Sequence, residues 1–297
     1  MKSIVLSDHA ADQLRKNEAA REGRYLANLK AYEAGIHEKQ DALDDVRRRR
    51  TLAAMRRQYV KMVGYFLAVV WARCAVMMAR RGKPVRESAG AEDETWAYGR
   101  QGEEAFDAAL GRVLDDAWTV LSGYHNPHGE IDRILVGPRG IFGFEVKNVK
   151  GVIYCNGDEW WRDKEDAWGN VVRRGEKIED RGGRGPSRQV NEPCDMLERF
   201  LARTIPACKI FRGVVFTEPS VQFGDVKNVT VGGVYHLGQW DFGDVIRRSV
   251  FRLGPEDVTR VVKQIERDHL YHQQRRNNRR ARHPAAVSPG PDLAPAN

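Results

Sequence analysis

The sequence predicts an α/β fold, a mixed sheet flanked by helices, preceded by a long helical N-terminal region. Three observations lead there. Residues 131–136 and 141–146 are rich in β-branched and aromatic side chains, and the turn sequence Gly137-Pro138-Arg139-Gly140 separates them, so they form a hairpin. From residue 95 to residue 271, helical and strand patterns follow one another. Residues 8–58 lack proline and are rich in alanine and charge, the composition of a long helix.

Charge is unevenly spread over the 297 residues. Residues 1–90 carry 19 basic against 10 acidic residues and 271–297 carry five against one, so of the overall +8 the middle holds −5. Basic ends suit nucleic acid or an anionic membrane surface. Cys74, Cys155, Cys194 and Cys208 form no CxxC pair, which excludes the usual zinc spacings. They read as reduced packing residues of a cytoplasmic chain, and residues 1–8 lack the apolar run of a signal sequence.

Along the chain, residues 1–61 form the first helical region. Leu29, Tyr32, Ile36, Leu43, Val46 and Ala53 fall on an a/d heptad frame, interrupted by Lys39 and Arg50. A short coiled coil joining copies of the chain is one reading; a solvated helix is the other. Residues 62–79 are apolar apart from Arg73. At about 1.5 Å per residue they reach roughly 27 Å, the thickness of a thin bilayer core. Basic residues flank both ends, so a spanning helix, a membrane-surface helix and a helix buried against the domain all stay open. Either membrane reading would tether the protein to the inner face.

Residues 80–94 read as a linker and 95–271 as the main domain. A helix over 99–114 places Phe106, Ala109, Leu110 and Val113 on its apolar face. Glu103 borders that face and Glu104 points to solvent. A first strand is expected at 118–122. His125 and His128 flank a turn set by Pro127 and Gly129, so a turn is preferred to a metal site. A second hairpin over 152–162 turns at Asn156-Gly157. Residues 163–186 read as a polar loop, and Arg181, Arg184 and Arg188 in or beside it are candidates for gripping phosphates.

A helix over 187–201 follows. Pro193 is tolerated only near a helix start, which would put Gln189 in the first turn or just before it. Strands are expected at 209–217 and 229–237, and helices at 240–250 and 256–271. Residues 272–297 read as a disordered basic tail.

The chemistry concentrates in the first hairpin. Glu145 and Lys147 share a strand face. If Val136 lies opposite Ile141, Asp132 lies opposite Glu145, and two facing carboxylates repel. A divalent cation offsets that repulsion; Mg²⁺ accepts one or two carboxylates and keeps room for water and phosphate.

Asp132 followed by Glu145-Val146-Lys147 resembles the active-site pattern of the PD-(D/E)xK nuclease superfamily. With Gly99-Arg-Gln-Gly-Glu103, Gly129-Glu-Ile-Asp132 and Phe144-Glu-Val-Lys-Asn148, residues 99–241 resemble the nuclease-related domain, NERD. That resemblance implies a restriction-endonuclease-like fold and Mg²⁺- or Mn²⁺-dependent hydrolysis of phosphodiesters in DNA, with RNA as an alternative. It implies catalytic roles for Glu103, Asp132, Glu145, Lys147 and Gln189, with Asp132, Glu145 and Glu103 on the metal. The competing expectations are a catalytically inactive nucleic-acid-binding module and a membrane-tethered adaptor working through residues 1–90.

Overall fold

A computed structural model describes residues 1–282 apart from 167, 169, 207, 229, 240 and 250. The chain divides into two compact units, residues 12–96 and residues 1–11 with 97–297.

The larger unit is built on a six-stranded mixed sheet. Its strands are β1 (Lys2–Val5), β2 (Thr119–Asn126), β3 (Gly129–Gly137), β4 (Gly140–Lys147), β8 (Ile210–Phe216) and β10 (Gly233–His236), hydrogen-bonded in that order. The meander β2–β3–β4 is antiparallel; β1 runs parallel to β2, β8 to β4, and β10 to β8. Val136 pairs with Ile141, the register that sets Asp132 across from Glu145. Strands β5 (Val152–Asn156), β6 (Glu159–Glu165), β7 (Val171–Lys177) and β9 (Gln222–Lys227) make a second sheet in the order β7-β6-β5-β9.

Strand alternation gives the main sheet two apolar faces. Leu135, Phe142, Phe144 and Val215 pack with Phe106 and Leu110 of α3 (Ala91–Val113). Leu121, Ile134, Ile141 and Val214 face the other way, onto α4 (Pro186–Leu201) and α6 (Pro255–Arg282). A Cβ on Gly143 would sit 2.6 Å from Cys194 Sγ, so β4 and α4 touch closely. The short α5 (Phe242–Arg248) adds Phe242 and Val245 to the α3 side.

Several expectations need correction. Residues 2–5 form a sheet strand, although the sequence placed them with the helical region. The presumed loop 163–186 contains β7, and β9 was not foreseen. Helix α4 begins at Pro186, so Pro193 lies in its second turn rather than at its start. Its missing N–H leaves the Gln189 carbonyl without the usual helical donor. Helix α6 continues to Arg282, so residues 272–282 are helical rather than a disordered tail; 283–297 lie outside the described residues.

The smaller unit is a helical pair. Helix α1 (His9–Met55) and helix α2 (Tyr59–Arg81) meet where Leu43 and Val46 pack on Val69, Ala72 and Val76. Two of the heptad residues thus pack within the chain. Residues 83–93 return along α1 through Arg24–Glu87 and Arg86–Glu22 ion pairs, with Asp93 held by Arg21 and Asn17. Helix α2 is long and apolar enough to cross a membrane, and only 11% of its apolar window is buried within the protein.

Candidate functional site

Strands β3 and β4 bring the site together. Counting by two from Glu145 puts Lys147 on the same sheet face, the one covered by α4, and the register sets Asp132 across from Glu145. The Asp132 carboxylate accepts a 2.7 Å bond from the Val146 N–H, just beyond the last ladder pair, Arg133–Phe144. Glu145 is buried, and its Oε1 lies 2.6 Å from Lys147 Nζ. Lys147 also donates to Gln189 Oε1 at 2.9 Å. The Gln189 amide nitrogen donates to the Arg184 carbonyl, so the glutamine is held from both ends. Helix α4 therefore fixes the lysine, with Gln189 and Cys194 presented from the same buried face.

Glu103 arrives from the other side of the sheet. Helix α3 comes so close to the ends of β4 and β8 that a Cβ on Gly102 would stand 2.5 Å from Asn148 Cβ and 2.6 Å from Thr217 Oγ1. That approach explains the glycine preceding Glu103. Arg133, next to Asp132 and pointing to the α3 face, donates to Glu103 at 2.8 Å and to both oxygens of Asp107 at 2.7 and 2.8 Å. It also donates to the Asp132 carbonyl at 2.8 Å. Glu103 is thus moored to Arg133 at the rim of the group, while Asp132, Glu145, Lys147 and Gln189 converge.

The electrostatics are those of crowded carboxylates. Burial, then Asp132, pushes Glu145 up to about 8, against the pull of Lys147. Burial, then the neighbouring Asp132, Glu103 and Glu145, pushes Glu130 up to about 8. Burial and Asp132 raise Glu103 to about 7 despite Arg133. Asp132 is raised by burial, which outweighs Lys147 and the Val146 N–H. Burial alone would lower Lys147, but Glu145 and Asp132 hold it above its usual range and hence charged. Four acids share one cationic lysine at the centre and Arg133 at the edge.

Glu130 is the member that the sequence reading missed. Strict alternation does not reach it, because Ile131 and Ile134 both lie on the α4 face; its place is shown by its electrostatic coupling to Asp132, Glu103 and Glu145.

Other candidates fall elsewhere. Arg184 pairs with Asp180 at 2.7 Å and Glu192 at 3.3 Å, and Arg188 pairs with Glu192 at 2.7 Å. These two arginines brace α4 and its preceding turn. Arg181 is exposed at that turn. Burial, then Arg276, lowers His125 to about 4, so it is neutral near pH 7.

The donor set suits a hard divalent cation. It consists of carboxylate oxygens, two of them facing across the ladder and repelling, with no thiolate or imidazole among them. Among the described residues no group of three or more His, Cys, Asp or Glu forms a metal cage by itself. A cation here would be held by Asp132 and Glu145, leaving most positions to water and substrate, a regime in which Mg²⁺ is at home.

A mixed sheet presenting opposed carboxylates and a lysine from adjacent strands defines a nuclease-like α/β domain. Residues 98–217, from α3 through β8, match the family model of the nuclease-related domain (NERD), which belongs to the PD-(D/E)xK-like nuclease group. No curated protein and no solved structure matches the chain.

Proposed function

We propose that the protein is a Mg²⁺- or Mn²⁺-dependent nuclease that hydrolyses phosphodiester bonds, with DNA as its substrate. The observation that carries the reading is the convergence of Asp132, Glu145 and Lys147 on one sheet face, with Gln189 fixing the lysine. Asp132 and Glu145 hold the cation, and Glu103 and Glu130 reach its water shell. When bound, the cation polarises the phosphoryl group and neutralises developing charge. Lys147, charged and poised beside Glu145, orients the attacking water and balances charge on the phosphate oxygens. Gln189 limits the lysine to one position, so orientation is set before substrate arrives. Arg133 ties α3 to β3 and keeps Glu103 at the rim.

Incubation of full-length protein with linear and circular DNA, in Mg²⁺, in Mn²⁺ and in EDTA, tests the reading. Cleavage in the metals and none in EDTA is the expected result. Binding without cleavage in either metal would make the chain a nucleic-acid-binding module instead.

A second reading concerns location. Val60, Val63, Leu67, Trp71 and Met78 are exposed along α2, and basic residues flank both its ends. That supports docking on an anionic membrane surface. A spanning α2 fits less well. Asp41, Asp44 and Arg47 of α1 line a common cavity with Arg73 and Arg80 of α2, and hydrocarbon would strand those charges.

A further inference from the structure

A groove between α4 and α6 stands apart from the carboxylate group and was not anticipated. It holds a cavity of about 810 Å³ whose lining includes Arg199, Arg203, Arg267, Arg275, His128 and Tyr271. A second cavity of about 370 Å³ adjoins it, shares Arg275 and adds Arg276 and Arg279.

These arginines differ from most others of the domain. Arg133, Arg162, Arg184, Arg188 and Arg212 all pair with carboxylates. Among the described residues none of the six groove arginines does; Arg199 donates to a backbone carbonyl, and Arg275 to the Tyr271 hydroxyl over whose ring it lies. The only acid lining either cavity is Asp268, which turns inward, accepting a 2.5 Å bond from Tyr124 with His272 3.5 Å away. Arg203 lies just past the end of α4, four residues after Arg199, and Arg275 and Arg279 stand one turn apart on α6. Like charges at that spacing destabilise a helix. Such an array is maintained at a cost in stability, which an external polyanion would reverse.

The groove leads to the carboxylates. His128 sits in the β2–β3 turn, two residues before Glu130, and its carbonyl accepts from Arg184 at 2.5 Å. The Arg184 carbonyl in turn receives Gln189, the partner of Lys147. Arg276 acts on both His125 and Glu130.

We propose that the α4–α6 groove is the track that carries the phosphate backbone of nucleic acid to the carboxylate–lysine site, gripping it without reading its sequence. The assignment rests on the nuclease reading for its destination, and on the six unpaired arginines for its ligand. Arginine suits the task because its guanidinium presents a fork of donors to phosphate oxygens, and Tyr271 offers a face on which an exposed base can stack.

The test uses full-length Arg203→Glu/Arg267→Glu beside Arg203→Gln/Arg267→Gln; both arginines are exposed, and neither belongs to the carboxylate group. Binding of a fluorescein-labelled DNA duplex is followed by anisotropy in Ca²⁺ over a range of salt. Hydrolysis of bis(p-nitrophenyl) phosphate, too small to occupy the groove, reports on the carboxylate site alone. Affinity should fall about tenfold or more for the Glu pair at low salt, and the slope of log affinity against log salt should flatten by about 2 in both variants, near one per lost phosphate contact. Bis(p-nitrophenyl) phosphate should turn over at the wild-type rate. Unchanged DNA affinity and slope would overturn the groove assignment even if the wild type cleaves DNA. If instead the wild type cleaves nothing while its DNA binding depends on the two arginines, the nuclease reading falls and the groove stands. Loss of binding to anionic lipid vesicles, with DNA binding intact, would also overturn it.

Discussion

Without metal, the crowded carboxylates should make the protein less stable as pH rises. Glu145 and Glu130 titrate at about 8 when folded, against about 4.3 for an unperturbed glutamate. Between those values the folded protein keeps a proton that the unfolded chain has released, so stability is greatest at low pH and is lost as pH climbs towards the folded value. His125 has the opposite sign, since its lowered pKa makes stability rise with pH up to about 6.5. The informative window is therefore pH 6.5 to 8. Each proton retained there changes stability by about 1.4 kcal/mol per pH unit, so one proton shared by the group amounts to about 2 kcal/mol across the window. A divalent cation should displace that proton and remove the slope; at a hundred times its dissociation constant it adds about 2.7 kcal/mol. The assay is urea unfolding at several pH values in EDTA and in Mg²⁺, with Glu145→Gln as a variant that should flatten the EDTA profile. Stability that stays level or rises over pH 6.5–8 in EDTA, or stabilisation by Mg²⁺ that is larger at pH 6.5 than at pH 8, would refute the argument.

Further outcomes can be checked separately. Lys147→Ala should bind DNA in Ca²⁺ as the wild type does but cleave at least about 100-fold more slowly in single-turnover experiments, the scale of one positioned catalytic group. Gly102→Ala should lower stability by about 1–3 kcal/mol in thermal or urea unfolding, because its methyl would press on Asn148 and Thr217; an unchanged midpoint would mean that α3 does not sit so close to β4. Full-length protein should sediment with anionic vesicles and be released by carbonate. Retention after carbonate would require α2 to leave α1 and span the bilayer.

What the sequence disclosed follows from the range of its signals. The β3–β4 hairpin was legible because its turn and its alternation are local, and local register fixed the faces of Asp132, Glu145 and Lys147. Glu130 lay beyond that argument, because Ile131 and Ile134 both face α4 and the alternation breaks between them. Strand β1 was hidden because four residues carry little pattern; they become a strand only by pairing with the exposed edge of β2. The role of Arg133 was equally hidden, since its partners Glu103 and Asp107 are brought to it by packing of α3. Arginines 275–282 looked like a disordered arm by composition, and only the continuation of α6 sets Arg275, Arg276 and Arg279 beside Arg199 and Arg203. Pro193 misled by position, as α4 carries this proline in its second turn, where its own carbonyl accepts from the Asn126 side-chain amide at 2.9 Å.

The central claim, that Asp132 and Glu145 make a metal-dependent phosphodiesterase site, is tested most directly by single-turnover cleavage of a labelled DNA duplex at saturating Mg²⁺. Wild type, Asp132→Asn and Glu145→Gln are compared after each has been shown to unfold cooperatively. The account predicts cleavage by the wild type and a loss of at least about 100-fold in both variants, since each removes a carboxylate that holds the cation. Cleavage at the wild-type rate by either variant would contradict it.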